Sequence, residues 1–206
     1  KRSFFINALV EVKEDTYAAT YAVTTEPGIV CILGTGSNSS YFDGTDVING
    51  VPSLGFILMD EASGNYFGKE LLKSYYYNQM PAALKVSFEK EFSLNENEVI
   101  NNLYQSETPN KYLAEFAVFL FKYKEHHLMD SIIREGISKF IDNNVLQFRD
   151  KLKTVPLYFV GSIAYYAQDY IMDALRERGL KASRFVKSPM DNVIHKIIDD
   201  KFLVQS

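Results

Sequence analysis

The residues best suited to chemistry in this 206-residue sequence are Gly34-Thr35-Gly36-Ser37-Asn38. They follow directly from Ile29-Val30-Cys31-Ile32-Leu33, a continuous apolar run of strand length, which predicts a strand covered on both faces. Glycine tolerates positive φ and lets backbone N–H groups approach an anion closely, and the Thr and Ser hydroxyls add donors. Such a turn can cradle a phosphate without a lysine. The same residue types also form an ordinary tight hairpin for conformational reasons, so the turn by itself leaves both readings open. Neither G-x-x-x-x-G-K-[ST] nor a G-x-G-x-x-G entering a helix occurs, so any nucleotide site belongs to a different architecture.

Two carboxylates are further candidates. Asp15 lies 19 residues before Gly34 and is followed by Ala18-Ala19. At the start of a helix an aspartate is a good N-cap, and the helix dipole there would also keep a proton-accepting carboxylate ionised. Asp60 follows the apolar run Gly55 to Met59 and precedes Glu61, a dipeptide that also suits a solvated turn. His126, His127 and His195 have no companions at metal-ligand spacing, which argues against zinc. Ser37 lacks the G-x-S-x-G setting of a hydrolase nucleophile. Tyr75, Tyr76 and Tyr77 read as a packing face of a helix rather than a stacking platform for bases.

The elements that must hold these residues follow from periodicity and punctuation. Residues 4–12 predict a buried strand, and a short helix begins at Asp15 and closes at Pro27-Gly28. After the strand at 29–33, Ser40 to Phe42 return with a turn at Asp43-Gly44, and Gly55 to Met59 predict a third strand. Helical spacing occupies 65–79, 81–92, 96–104 and 110–150, the last as two helices breaking near His126 or Gly136. Phe116, Phe119, Leu120 and Tyr123 share one helical face, and Ile132, Ile133, Ile137, Phe140 and Ile141 share another. Val155 to Val160 predict a strand ending in Gly161-Ser162. A helix through Ala174 to Arg178, a strand at 183–186 and a helix from about Asp191 complete an α/β pattern.

The bulk numbers exclude several classes. Net charge is −4 and the pI about 5.5, so no basic field attracts nucleic acid or an anionic membrane surface. No apolar run approaches the roughly 20 residues that span a bilayer, and Lys1-Arg2 do not open a signal-peptide pattern. The single Cys31 lies in an apolar run and reads as a buried thiol, which fits a reducing, cytoplasmic setting.

With these residues in place, a resemblance becomes specific. P-G-I-V-C-I-L-G-T-G-S-N-S, followed by L-G-F-I-L-M-D-E-A-S-G, resembles the central block of the N-acetylglucosamine kinase and BadF/BadG-type ATPase family. That family shows I-x-G-T-G-S-N and then G-x-G-x-x-x-G-D-E-G-S, and it belongs to the superfamily of actin, hexokinase and heat-shock ATPases. L-Y-F-V-G-S-I-A, from Leu157 to Ala164, is similar to the family's turn at the nucleoside.

The resemblance implies a ribonuclease-H-like lobe with a mixed sheet flanked by helices, and ATP with Mg²⁺ as cofactors. By the same implication Gly34, Thr35 and Gly36 hold ATP phosphates, while Ser37, Asn38, Gly55 and Asp60 face the sugar. Gly161, Ser162 and Ala164 lie against the adenosine, and Asp15 is the base that orients and deprotonates a sugar hydroxyl. The expected partners are a small sugar and, from the resemblance, a second copy in a homodimer.

Three departures from the family pattern matter: Met59 and Ala62 replace glycines on either side of Asp60-Glu61, and Asn192 replaces a glycine near the C-terminus. The family's first phosphate motif, D-x-G-G-T-K, is missing. Residues 1–24 are therefore expected to be a remnant of the N-terminal lobe and hinge. Residues 25–206 are expected to form the C-terminal lobe, with a last helix that packs back on the first lobe. The leading expectation is an ATP-dependent kinase of an amino sugar such as N-acetylglucosamine. A sugar-binding sensor and an activator ATPase of the 2-hydroxyacyl-CoA dehydratase type are the alternatives. The activators bridge an iron–sulfur cluster with cysteines, which Cys31 alone does not supply.

Overall fold

The computed structural model describes residues 15–188. The strand expected at 4–12, the helix from Asp191 and the Asn192 departure lie outside the described residues. Helix α1 spans Asp15–Val23 and leads into strands β1 (Gly28–Leu33), β2 (Ser37–Phe42) and β3 (Val47–Asn49). Six helices follow: α2 (Gly64–Tyr76), α3 (Ala82–Glu91), α4 (Glu96–Tyr104), α5 (Pro109–Glu115), α6 (Ala117–Lys122) and α7 (His127–Phe140). A wide helical turn at Ile141–Val145 and short tight turns lead to β4 (Leu157–Val160). Helices α8 (Ser162–Tyr166) and α9 (Gln168–Glu177) and strand β5 (Arg184–Val186) complete the order.

The five strands form one mixed sheet in the order β3-β2-β1-β4-β5. β1 pairs antiparallel with β2 and parallel with β4, and β4 pairs parallel with β5. β1 is therefore central, and alternation divides its side chains between two layers. Val30 joins Ala19 and Val23 of α1, Val160 and Val186 on one face. Ile29, Cys31 and Leu33 face the other way, into the large core that the remaining helices build. The strand buried on both faces is thus present, and the α/β architecture, a mixed sheet flanked by helices, is that of an actin-like ATPase lobe.

Helix α1 lies across the sheet in a defined direction. Near its C-terminal end the Tyr21 ring stands edge-on to Phe42 at 5.8 Å, and Phe42 pairs in register with Gly28, the first residue of β1. Helix α1 also contacts β1, β3, β4 and β5, so it crosses the strands of the sheet.

Two close approaches on the helical face depend on glycine. A Cβ on Gly68 would stand 1.9 Å from the Leu113 carbonyl oxygen, and one on Gly64 would stand 2.9 Å from the Ala114 Cβ. Gly64 and Gly68, one turn apart on α2, let α5 pack directly on its backbone.

Several expected elements differ. Gly55 to Met59 is not a strand but a turn, closed by Met59 N–H on the Gly55 carbonyl at 2.9 Å. The run is apolar, yet Ile57 and Leu58 are 78% and 71% exposed, so its hydrophobicity does not mark a sheet position. The break near His126 is present, with His126 as the cap of α7, whereas Gly136 sits inside α7 against Phe67 and Tyr66. A further break at Phe116 separates α5 from α6, and β3 follows the Asp43-Gly44 turn.

Candidate functional site

The turn after β1 is shorter than its composition suggests. Leu33 pairs with Ser37 across the hairpin, so Ser37 and Asn38 are the first residues of β2 and only Gly34, Thr35 and Gly36 turn the chain. Gly34 N–H donates to the Gly36 carbonyl at 3.0 Å and closes the turn on itself. The carbonyls of Gly34 and Thr35 accept from the N–H groups of Gly64 and Asn65, at 2.7 and 3.0 Å. Ser63 caps α2 by accepting from Tyr66 N–H. The first N–H groups of α2 are therefore spent on the turn and the cap and do not face a ligand. Among the described residues the N–H groups of Thr35 and Gly36 carry no hydrogen bond. With the exposed Thr35 hydroxyl, these are the donors this wall offers an anion.

Asp60 stands behind the turn and fixes it. One carboxylate oxygen accepts from Ser37 N–H at 3.2 Å, and the other accepts from Asn65 Nδ2 at 2.9 Å. The second oxygen lies 3.0 Å from where a Gly36 Cβ would be, so glycine there leaves room for the carboxylate. Ser37 Oγ donates to the Glu61 carbonyl at 2.8 Å, and Ser63 Oγ donates to the Asp60 carbonyl at 2.6 Å. Asp60 is buried and its observed contacts join β2 to α2. The sequence places Asp60 among the sugar-facing residues; the structure shows its two oxygens bonded to Ser37 and to Asn65, a partner inside α2 that no motif marked.

The glycine departures are accommodated in different ways. Asp60 and Ala62 hold φ of 70° and 57°, while Met59 is not in the left-handed region. Ala62 thus occupies a conformation that favours glycine and buries its methyl completely, whereas position 59 does not require glycine.

The turn meets the second glycine-serine block in one cavity. Gly34, Thr35, Gly64, Ser162 and Ile163 line a space of about 280 Å³, with Lys111, Ala114 and Glu115 of α5 on the remaining side. Gly161 makes the juxtaposition possible. Its φ is 117°, and a Cβ there would stand 2.2 Å from the Leu33 carbonyl oxygen, directly before Gly34. Gly161 N–H also donates to the Val186 carbonyl at 2.8 Å, fixing the β4–α8 turn to β5. Two motifs far apart in sequence are thereby brought to adjacent strand ends, where open α/β sheets bind ligands.

Other candidates are placed as follows. Ala164 does not line the cavity, because it is fully buried in the core beneath α8, and Ile163 takes its place. Asn38 lies beside Ser37 on β2, and its Oδ1 accepts from Ser39 N–H at 2.7 Å. Gly55 has φ 76° and open space around its Cβ position, in a loop that Lys69 fastens by donating to the Phe56 carbonyl. Asp15 is the first residue of α1 and is not among the residues that line the cavity.

Cys31 is wholly buried in β1, and burial pushes its thiol far above the usual range, so it stays protonated. A protonated, enclosed thiol does not ligate a cluster. Among the described residues no group of three or more His, Cys, Asp or Glu could hold a metal ion, and no helix is long and apolar enough to cross a membrane.

No protein-family model matches the sequence, and no curated protein does. Among solved structures, the putative N-acetylglucosamine kinase from Porphyromonas gingivalis is 33% identical with a TM-score of 0.80, over 89% of this chain. The chain spans 64% of that protein's length. A second protein of the same description, from Chromobacterium violaceum, is 15% identical with a TM-score of 0.70, over 94% of this chain and 69% of its own, and likewise carries the fold.

Proposed function

Because the chain belongs to the N-acetylglucosamine kinase-like family, we propose that it forms the larger part of an ATP-dependent kinase that phosphorylates N-acetylglucosamine at a hydroxyl. The observation that carries this reading is the shared cavity of Gly34, Thr35 and Ser162, a cleft wall built from two motifs far apart in sequence. Residues 1–24 are assigned to the junction with a first lobe and 25–206 to the second.

In this reading the N–H groups of Thr35 and Gly36 and the Thr35 hydroxyl hold a phosphate of ATP, and Ser162 lies on the nucleoside side. Phosphoryl transfer of this kind is positioning and electrostatic stabilisation, so the rigid attachment of the turn to α2 through Asp60 is its main asset. Asn38 and the neighbouring strand end offer hydrogen bonds to the sugar. Asp60 supports that wall with both carboxylate oxygens already engaged. Asp15 orients the sugar hydroxyl and accepts its proton as the phosphoryl group transfers in line. Mg²⁺ is the expected companion of ATP, but the described residues supply no carboxylate set for it and no step is assigned to it. A homodimer in the cytoplasm is the proposed setting.

The activator ATPase alternative loses support from the enclosed, protonated Cys31. The sensor alternative loses support from Ala62, which keeps the left-handed backbone of the lost glycine and leaves the turn intact.

The test is coupled ADP release with Mg·ATP across hexoses and N-acetylhexosamines, using a protein that includes this chain. N-acetylglucosamine should stimulate ADP release, and Asp15→Asn should lower kcat by at least about a hundredfold. Sugar-independent turnover that Asp15→Asn leaves unchanged defeats the proposal.

A further inference from the structure

The third wall of the cavity is helix α5, and no sequence motif marked it. Lys111, Ala114 and Glu115 occupy one face of that helix at helical spacing and line the cavity opposite the turn. The helix is held there by backbone packing, since Gly64 and Gly68 of α2 admit Ala114 and Leu113 at distances that any side chain would prevent. Ala114 fills the contact, and the two charged residues flank it at the cavity. Both are exposed, and neither side chain makes a hydrogen bond or ion pair among the described residues.

A polyphosphate in this cavity meets few donors on the turn. Gly34 N–H is spent inside the turn, Ser37 N–H on Asp60, and the first N–H groups of α2 on the turn's carbonyls. Two backbone N–H groups and a hydroxyl do not balance the charge of a nucleoside triphosphate. Of the eight residues that line the cavity, Lys111 is the one cation. Charge-assisted bonds from an ammonium are about twice as strong as neutral ones.

The other end of the α5 face has the opposite character. Beyond Glu115 the chain continues into α6, whose Phe121 ring lies 6.1 Å from Tyr166 on α8. Glu115 and Ser162 line the same cavity, and Lys111 lies one turn of α5 away from Glu115. A carboxylate repels phosphate but accepts well from vicinal hydroxyls.

We infer that α5 is a nucleotide-binding wall, in which Lys111 pairs with the phosphates of a nucleoside triphosphate and Glu115 accepts from its ribose hydroxyls. This inference rests on the proposed nucleotide cleft and adds residues to it. Calorimetric titration of a protein that includes this chain with ATP, adenosine and 2′-deoxy-ATP tests it, with Lys111→Ala, Lys111→Arg and Glu115→Ala compared and circular dichroism confirming folding.

Lys111→Ala should weaken ATP about tenfold or more and leave adenosine unchanged, while Lys111→Arg retains most of the affinity. Glu115→Ala should weaken adenosine and remove the preference for ATP over 2′-deoxy-ATP. If wild type binds both ligands and Lys111→Ala shifts them equally or not at all, the role of Lys111 is overturned while the cleft stands. If Glu115→Ala preserves the ribose preference, its role is overturned likewise. If wild type binds neither ATP nor adenosine, the nucleotide reading falls as well.

Discussion

The turn at 34–36 and the loop at 54–59 each contain glycine beside apolar or hydroxyl residues; the first follows what reads as a strand, and most of the second itself reads as one. They are held in different ways. In the turn, the carbonyls of Gly34 and Thr35 bond to α2, and Asp60 ties Ser37 to Asn65 behind them. The loop is closed by its own bonds to the Gly55 carbonyl and by Lys69 donating to the Phe56 carbonyl, while Leu54, Ile57 and Leu58 project outward. A loop can therefore be apolar yet weakly attached, and a turn can be polar yet firmly fixed. Rigidity here comes from buried polar cross-links, as a preorganised anion site requires.

The contrast is tested most severely by glycine. Gly161 and Gly55 both have positive φ, but only Gly161 faces a backbone atom where its Cβ would be. Gly161→Ala should cost at least about 3 kcal/mol, because strain adds to a clash with the Leu33 carbonyl. Gly55→Ala should cost about 1 kcal/mol, from the left-handed backbone alone. Urea denaturation with matched m-values measures both, and equal costs would remove the distinction between the two regions.

The next largest effect is expected at Asp60. Asp60→Ala strips the acceptor from Ser37 N–H and from Asn65 Nδ2 in a buried setting, which should cost about 2–4 kcal/mol. Asp60→Asn keeps an oxygen for one donor and should cost less. The same denaturation series orders the two, and a loss below about 1 kcal/mol for Asp60→Ala would show that the turn holds its shape without the carboxylate.

Ala62 gives a smaller and more balanced change. Ala62→Gly relieves the left-handed strain but removes a fully buried methyl and loosens the unfolded chain. Those effects are each of order 1 kcal/mol and opposed, so stability should change by less than about 1 kcal/mol. A gain well above that would identify the glycine-to-alanine departure as a defect in the site.

Much of this arrangement was legible in the sequence because it rests on local chemistry. The run Ile29 to Leu33 announced a strand with two covered faces, whereas Gly161 was singled out only by the family resemblance and its close approach to the Leu33 carbonyl is seen in the structure. Asp60 was singled out by its place after an apolar run and by the D-E-A-S-G resemblance. The sequence did not show that Ser37 and Asn38 begin β2, because hairpin register is fixed by the pairing of Leu33 with Ser37.

Lys111 and Glu115 were invisible for a related reason. Their place depends on α5 crossing α2 at Gly64 and Gly68, a tertiary contact with no periodic signature of its own. Ala164 was misplaced because the turn of α8 that presents Ser162 and Ile163 to the cavity rotates the next residue into the core. The apolar run at 55–59 misled because composition reports hydrophobicity without reporting what covers it.

The smallest expected effect belongs to that run and closes the comparison from its other side. Ile57 is 78% exposed, so almost none of its apolar surface leaves water within the described fold. Replacing it with serine removes little buried area and no hydrogen bond, and Ile57→Ser should change stability by less than about 0.5 kcal/mol. Leu72, on the neighbouring face of α2 and 6% exposed, provides the matched control, for which Leu72→Ala should cost about 2–4 kcal/mol. Equilibrium denaturation of both variants separates a residue that packs from one that merely lies nearby. A loss at Ile57 approaching that at Leu72 would mean the loop is covered in solution, and the weakly attached region would then need to be redrawn as part of a buried surface.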